Sequence, residues 1–128
     1  MSSFSTSIVV AASYPPLGRL IASALRGEGY QPLVFADGAQ ALAHLRSQPF
    51  DLALLDAELA KADGFHICQQ VRKVSSAPIA LLVMRGDTAQ LVRGRQVGAD
   101  ALLFIPFGMD ELLTCVDALV PAPTVFSP

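Results

Sequence analysis

Five short apolar runs, each followed by a longer stretch of helical period, constrain the fold of this chain more than any other feature. The runs are Ser7–Ala12, Pro32–Phe35, Leu52–Leu55, Ile79–Val83 and Ala101–Ile105. A strand with one wet face alternates apolar and polar residues. These runs do not alternate, so they predict strands covered on both faces. Hydrophobic residues make up 52% of the 128 and charged residues only 16%, the balance that a doubly covered sheet needs.

The stretches between the runs carry helix signals. In the first, Leu17, Leu20, Ile21, Ala24 and Leu25 follow three-four spacing and predict one buried stripe, with Arg19, Arg26 and Glu28 facing away. Pro15 and Pro16 suit its start, and Gly29 its end. The second, after Asp37-Gly38, offers Ala39, Leu42, Ala43 and Leu45 before Pro49 stops it. Asp63 predicts an N-cap for the third, which buries Phe65, Cys68 and Val71; Asp87 or Thr88 can cap the fourth, with Leu91, Val92 and Val97 apolar before Gly98 ends it. Asp110 and Glu111 favour the start of the fifth, which repeats Leu112, Leu113, Val116, Leu119 and Val120. Residues 1–120 read as one domain and 121–128 as a proline-rich tail or linker.

Strand and helix in alternation predict an α/β fold with a parallel sheet, right-handed crossovers and helices on both faces. Ligands of such sheets bind beyond the C-terminal strand ends. The tips that matter are therefore Ala12-Ser13, Asp56, Val83-Met84 and Ile105-Pro106.

Several functions are disfavoured at this stage. No apolar run has bilayer length, and no Lys or Arg precedes Ile8–Ala12, so neither a membrane span nor a signal peptide is expected. Cys68 and Cys115 fit no metal or redox spacing and read as reduced thiols in a cytoplasmic protein. A net charge of −2 without a basic stripe gives no basis for direct nucleic-acid binding. His44 and His66 fall on helices away from the tips, and Ser13 has no His or paired acid to activate it, so an enzyme is not expected. Pro15 and Pro16 remove backbone donors where a phosphate cradle would need them.

Taken in order, the motifs carry a family resemblance. Ile8-Val9-Val10, Pro15, Glu28-Gly29-Tyr30, Ala36-Asp37-Gly38, Asp51 to Asp56 and Asp63-Gly64-Phe65 are followed by Pro78-Ile79, Arg85-Gly86-Asp87, Gly98-Ala99-Asp100, Pro106-Phe107 and Glu111-Leu112-Leu113. From Ile8 to about Val120 the chain resembles the receiver domain of bacterial two-component response regulators. The resemblance implies a flavodoxin-like (βα)5 three-layer sandwich with sheet order 2-1-3-4-5. It makes Asp56 the equivalent of the phosphoacceptor, fed by a histidine kinase, and implies a cis peptide before Pro106.

The same resemblance exposes departures. The family's acidic pair after the first strand falls on Ala12 and Ser13, its strand-four hydroxyl on Val83, its lysine on Ile105 and its aromatic switch on Leu102. No Asp or Glu precedes Pro15, and no Lys or Arg follows Arg95, so a one-residue shift of register does not restore them. Phosphoryl transfer needs positive charge on the incoming oxygens, from a hard cation held by carboxylates and from the lysine. The expectation is an atypical receiver with its Mg2+ site lost and no cofactor, acting by protein–protein interaction. Glu58 and Arg85 are the expected neighbours of Asp56. The expected partners are a signalling protein such as a histidine kinase or output domain, or a second copy through helix 4, strand 5 and helix 5. The alternatives are a phosphorelay receiver using Asp56 and a small-ligand or cofactor-binding protein of the same fold.

Overall fold

The computed structural model describes residues 6–121. Ten elements alternate: β1 (Ser7–Ala11), α1 (Pro15–Gly27), β2 (Gln31–Phe35), α2 (Gly38–Ser47), β3 (Leu52–Asp56), α3 (Gly64–Arg72), β4 (Ile79–Met84), α4 (Thr88–Gln96), β5 (Ala101–Ile105) and α5 (Met109–Leu119). The strands form one parallel sheet in order β2-β1-β3-β4-β5, the flavodoxin-like order. All of the expected tail except Pro121 lies outside the described residues.

Two apolar clusters, one on each face, explain the unalternating strands. Ile8, Val10, Leu52, Leu54, Ala80 and Leu82 pack with Ile21 and Leu25 of α1 and Leu112 and Val116 of α5. Their neighbours Val9, Ala11, Ala53, Leu55, Ile79, Leu81 and Val83 point the other way, onto Leu42 and Leu45 of α2 and Ile67, Cys68 and Val71 of α3. The period of two thus survives, but both faces are dry.

The edge strand β2 departs from this pattern. Leu33 is 44% exposed and Val34 39%, because β2 pairs with β1 alone and has half its surroundings missing. Pro32, which has no N–H to offer a ladder, is tolerated there for the same reason. Helix faces also differ in detail from the sequence reading. Leu20 is 49% exposed while Gly18 and Ala22 are buried, so the stripe of α1 runs one position narrower on one side. On α2 it is Ala41, Leu42 and Leu45 that are buried, and Ala39 and Ala43 face water.

Helix starts follow the capping residues. Asp37, Asp63 and Asp87 each accept a bond from the backbone N–H three residues on, at 3.0, 2.8 and 3.0 Å. On α5 the N-cap is Gly108, whose N–H donates to Glu111 Oε1 at 3.0 Å.

Polar contacts gather at the N-terminal end of the sheet. The Ser7 N–H donates to Asp51 Oδ2 at 2.7 Å and the Ile79 N–H to Asp100 Oδ2 at 2.8 Å. Arg72 pairs with Asp100 and also donates to the carbonyls of Gly98, at 3.0 Å, and Ala77, at 2.7 Å. That staple leaves the C-terminal end as the open one.

Candidate functional site

At the C-terminal end, Asp56 closes β3 in register with Leu82 of β4. Its half-buried carboxylate lies at a cavity of about 260 Å³. Leu17, Leu82 and Ile105 make the apolar wall, and Ser13, Glu58 and Gln90 supply polar atoms. Oδ1 of Asp56 accepts the Glu58 N–H at 3.0 Å. Burial raises the Asp56 carboxyl above its ordinary range, the Glu58 N–H opposes that shift, and the charge of Glu58 adds to it.

The residues singled out in the sequence divide into two groups. Ser13, Asp56, Glu58 and Ile105 meet at this cavity. Ser13 Oγ accepts the Ala60 N–H at 3.1 Å, tying the tip of β1 to the loop after β3. Ala12 is buried at 1% exposure and brings only a methyl. Val83 and Leu102 belong to the opposite face, with the α2–α3 cluster. A Cβ placed on Gly94 of α4 would meet Leu102 Cδ2 at 2.7 Å, so the Leu102 side chain fills the space left by that glycine.

Arg85 makes no hydrogen bond or ion pair with Asp56 among the described residues. Its guanidinium donates to the Pro106 carbonyl at 3.1 Å and pairs with Glu111 at 3.4 Å, with its carbon 5.7 Å from the Phe104 ring centroid. The backbone turns outward after Met84, and the Arg85 N–H donates to the Ile105 carbonyl, which sends the side chain toward α5. Among the described residues, no ion pair joins Asp56 to a basic side chain. The Ile105–Pro106 peptide is cis.

One of the expected strand tips joins the residues at the cavity, and one site residue, Gln90, escaped the sequence reading. Met84, 45% exposed, lines the cavity beside Asp56. Gln90 bridges the site: its Oε1 accepts the Met84 N–H at 2.7 Å, and its Nε2 donates to Glu58 Oε1 at 3.0 Å. A signal for Gln90 was present. Asp87-Thr88-Ala89-Gln90 has capping-box spacing, which marks a glutamine able to reach back past the helix start. Here it reaches Met84.

The loop between Asp56 and α3 is held from α2. The Gly38 N–H donates to the Ala60 carbonyl at 2.9 Å, and Lys61, at φ +71°, pairs with Asp37 at 3.0 Å. The Asp37 carboxyl lies below its ordinary range, through the Gln40 N–H and then Lys61. Cys68 and Cys115 are both pushed up by burial, which disfavours the thiolate.

With this geometry in view, comparison with known families gives a clear match: the response regulator receiver domain covers residues 8–117. The chain belongs to that family. This receiver domain is 38% identical over 111 residues to the DNA-binding response regulator MtrA of Mycolicibacterium smegmatis, a stretch covering 87% of this chain and 49% of that relative. It is 30% identical over 113 residues to the transcriptional regulatory protein BaeR of Escherichia coli, covering 88% and 47%. The chain spans about half the length of these curated relatives.

Among solved structures, the receiver domain is similar to a putative response regulator from Chloroflexus aurantiacus, at 26% identity and TM-score 0.85, covering 90% and 97% of the two chains. It is also similar to the receiver domain of a sensor histidine kinase from Pseudomonas aeruginosa, a structure described as having magnesium coordinated in the active-site cleft. That match has 25% identity and TM-score 0.83, covering 90% and 97%. A receiver domain of two-component signalling is a regulatory module and not a classical enzyme. No helix among the described residues is long and apolar enough to cross a membrane.

Proposed function

We propose that this receiver domain transmits a two-component signal by protein–protein contact, with little or no Mg-dependent phosphorylation of Asp56. The observation that carries this reading is the set of groups around Asp56. Ala12 has no side-chain ligand atom, the Ser13 hydroxyl oxygen accepts the Ala60 N–H, and one oxygen of Glu58 accepts the Gln90 amide. Ile105 lines the cavity where a cationic side chain would be needed. A hard divalent cation takes several oxygens, carboxylates foremost, and these residues do not fit one well.

A second reading is favoured by the family match and by the named relatives: Asp56 accepts a phosphoryl group from a histidine kinase. Its support is that Asp56 keeps its place at the tip of β3, half-buried beside an open cavity, with the Glu58 carboxylate within reach. Incubation with acetyl phosphate and Mg2+, followed by intact mass of wild type and Asp56→Asn, separates the two. The first reading expects no Asp56-dependent mass gain. A gain in wild type that Asp56→Asn abolishes would overturn it and establish the second.

The partner we infer is a histidine kinase or an output domain in the cytoplasm, with the receiver itself making no nucleic-acid contact. The contact surface is α4, β5 and α5, which can also pair two copies. Val92 is 48% exposed there, and a groove of about 640 Å³ runs between β5 and α5, flanked by Asp110 and Glu111. Light scattering during size exclusion, with Val92→Glu alongside wild type, tests the dimer.

A further inference from the structure

Gln90 sits in the first turn of α4 and uses both ends of its amide. One end holds the Met84 N–H at the tip of β4; the other holds the Glu58 carboxylate on the loop after β3. Glu58 is in turn bonded through its own N–H to Asp56 Oδ1. Glu58 therefore links Asp56, through its backbone N–H, to Gln90 and α4, through its side chain. α4 has few other anchors: Gly94 is its one buried residue, with Val97 just beyond its end, and Arg93 pairs with Asp63 at 3.8 Å and lies 4.5 Å from the Phe65 ring centroid on the α3 side. A helix with so little apolar anchorage is held or released by a few polar contacts.

We propose that Gln90 is a positioning residue, a latch that carries changes at Asp56 through Glu58 into α4. The hydroxyl–aromatic route of the family has no counterpart here, since Val83 and Leu102 are apolar and packed on the far face of the sheet. The Gln90 amide supplies a different connection, on the Asp56 side. The latch rests on the reading of α4 as part of the contact surface, and its test uses neither a phosphoryl donor nor a partner.

The test is a set of amide NMR spectra in which Asp56→Asn is the perturbation. In the otherwise wild-type domain, Asp56→Asn shifts the amide peaks of Leu91 to Gln96. In a Gln90→Met background those α4 shifts vanish, while shifts in residues 57–60 remain. Met84 N–H exchange rises about tenfold in Gln90→Met, the effect of losing one hydrogen bond. Gln90→Glu keeps an acceptor for Met84 but sets a like charge against Glu58, and also silences α4. The exchanged pair Glu58→Gln with Gln90→Glu restores donor to acceptor and with it the α4 shifts. α4 shifts that persist in Gln90→Met, that never occur in the wild-type background, or that fail to return in the exchanged pair would overturn the latch, as would unchanged Met84 exchange. Loss of phosphorylation or of dimerisation leaves each of these outcomes readable.

Discussion

Gly64 opens α3 directly beneath the tip of β3, and replacing it with alanine tests how tightly that tip is built. A Cβ there would stand 2.4 Å from the Asp56 carbonyl oxygen and 3.1 Å from Ala57 Cα. The first distance is about 1 Å short of ordinary carbon–oxygen contact, and both obstacles are backbone, so no side chain can swing aside. Separation of α3 from the tip also weakens the bond from the Gly64 N–H to the Ala57 carbonyl, 3.2 Å long. Overpacking costs about 1–3 kcal/mol and the hydrogen bond about 1, against a gain of at most about 1 from replacing glycine in a helix. The net loss is about 1–3 kcal/mol. Urea unfolding followed by circular dichroism reads it as a fall of about 1 M in midpoint with an unchanged slope. Gly27→Ala is the control: it ends α1 with nothing within 4 Å of the new methyl, and it raises stability by about 0.4–1 kcal/mol. If Gly64→Ala behaves like Gly27→Ala, the tip is not packed as described and the reasoning fails.

Three further outcomes follow from the same contacts. The Asp56 carboxyl is raised by burial, so its contribution is intact below the unfolded carboxylate range and lost as pH rises through the folded value. Asp56→Asn therefore melts higher than wild type at neutral pH, and the gap closes on acidification; a gap independent of pH would contradict this. Tyr30 donates to Asp117 Oδ1 at 2.7 Å, which pushes its phenol up to about 12. Spectrophotometric titration should find one tyrosine ionising late, with Tyr30→Phe removing it at a cost of about 0.5–1.5 kcal/mol. Arg72→Met leaves the Gly98 and Ala77 carbonyls without their side-chain donor and Asp100 with the Ile79 N–H alone, and chemical unfolding should register a loss of about 2–3 kcal/mol.

The strands were legible because both faces of the sheet are dry, and a run such as Leu52–Leu55 has no other economical reading, whereas their order came only with the family resemblance. Caps were legible at Asp63 and Asp87, where a short acceptor precedes an apolar period. Burial at edges was not. Leu33 and Leu20 look like core residues in one dimension, yet their exposure depends on which neighbour is missing in three. Asp56, Ser13 and Ile105 could be gathered at one cavity because strand tips share an end. Arg85 could not be placed in this way, since a long side chain one residue past a strand can turn to either side. It went to Glu111. Gln90 was hidden because its spacing matched a capping role while its partners, Met84 and Glu58, come from other tips.

The polar staple at the N-terminal end of the sheet has a consequence for how such a chain can change over time. Arg72, Asp100 and Asp51 tie strand starts together on the side away from Asp56. Cohesion and chemistry are thus assigned to opposite ends of the same strands. A substitution at Ala12, Ser13, Val83 or Ile105 leaves every one of those stapling contacts untouched, so the anchorage of the strand starts does not depend on what occupies the Asp56 end. The site can be rewritten, residue by residue, on a scaffold that remains anchored from below.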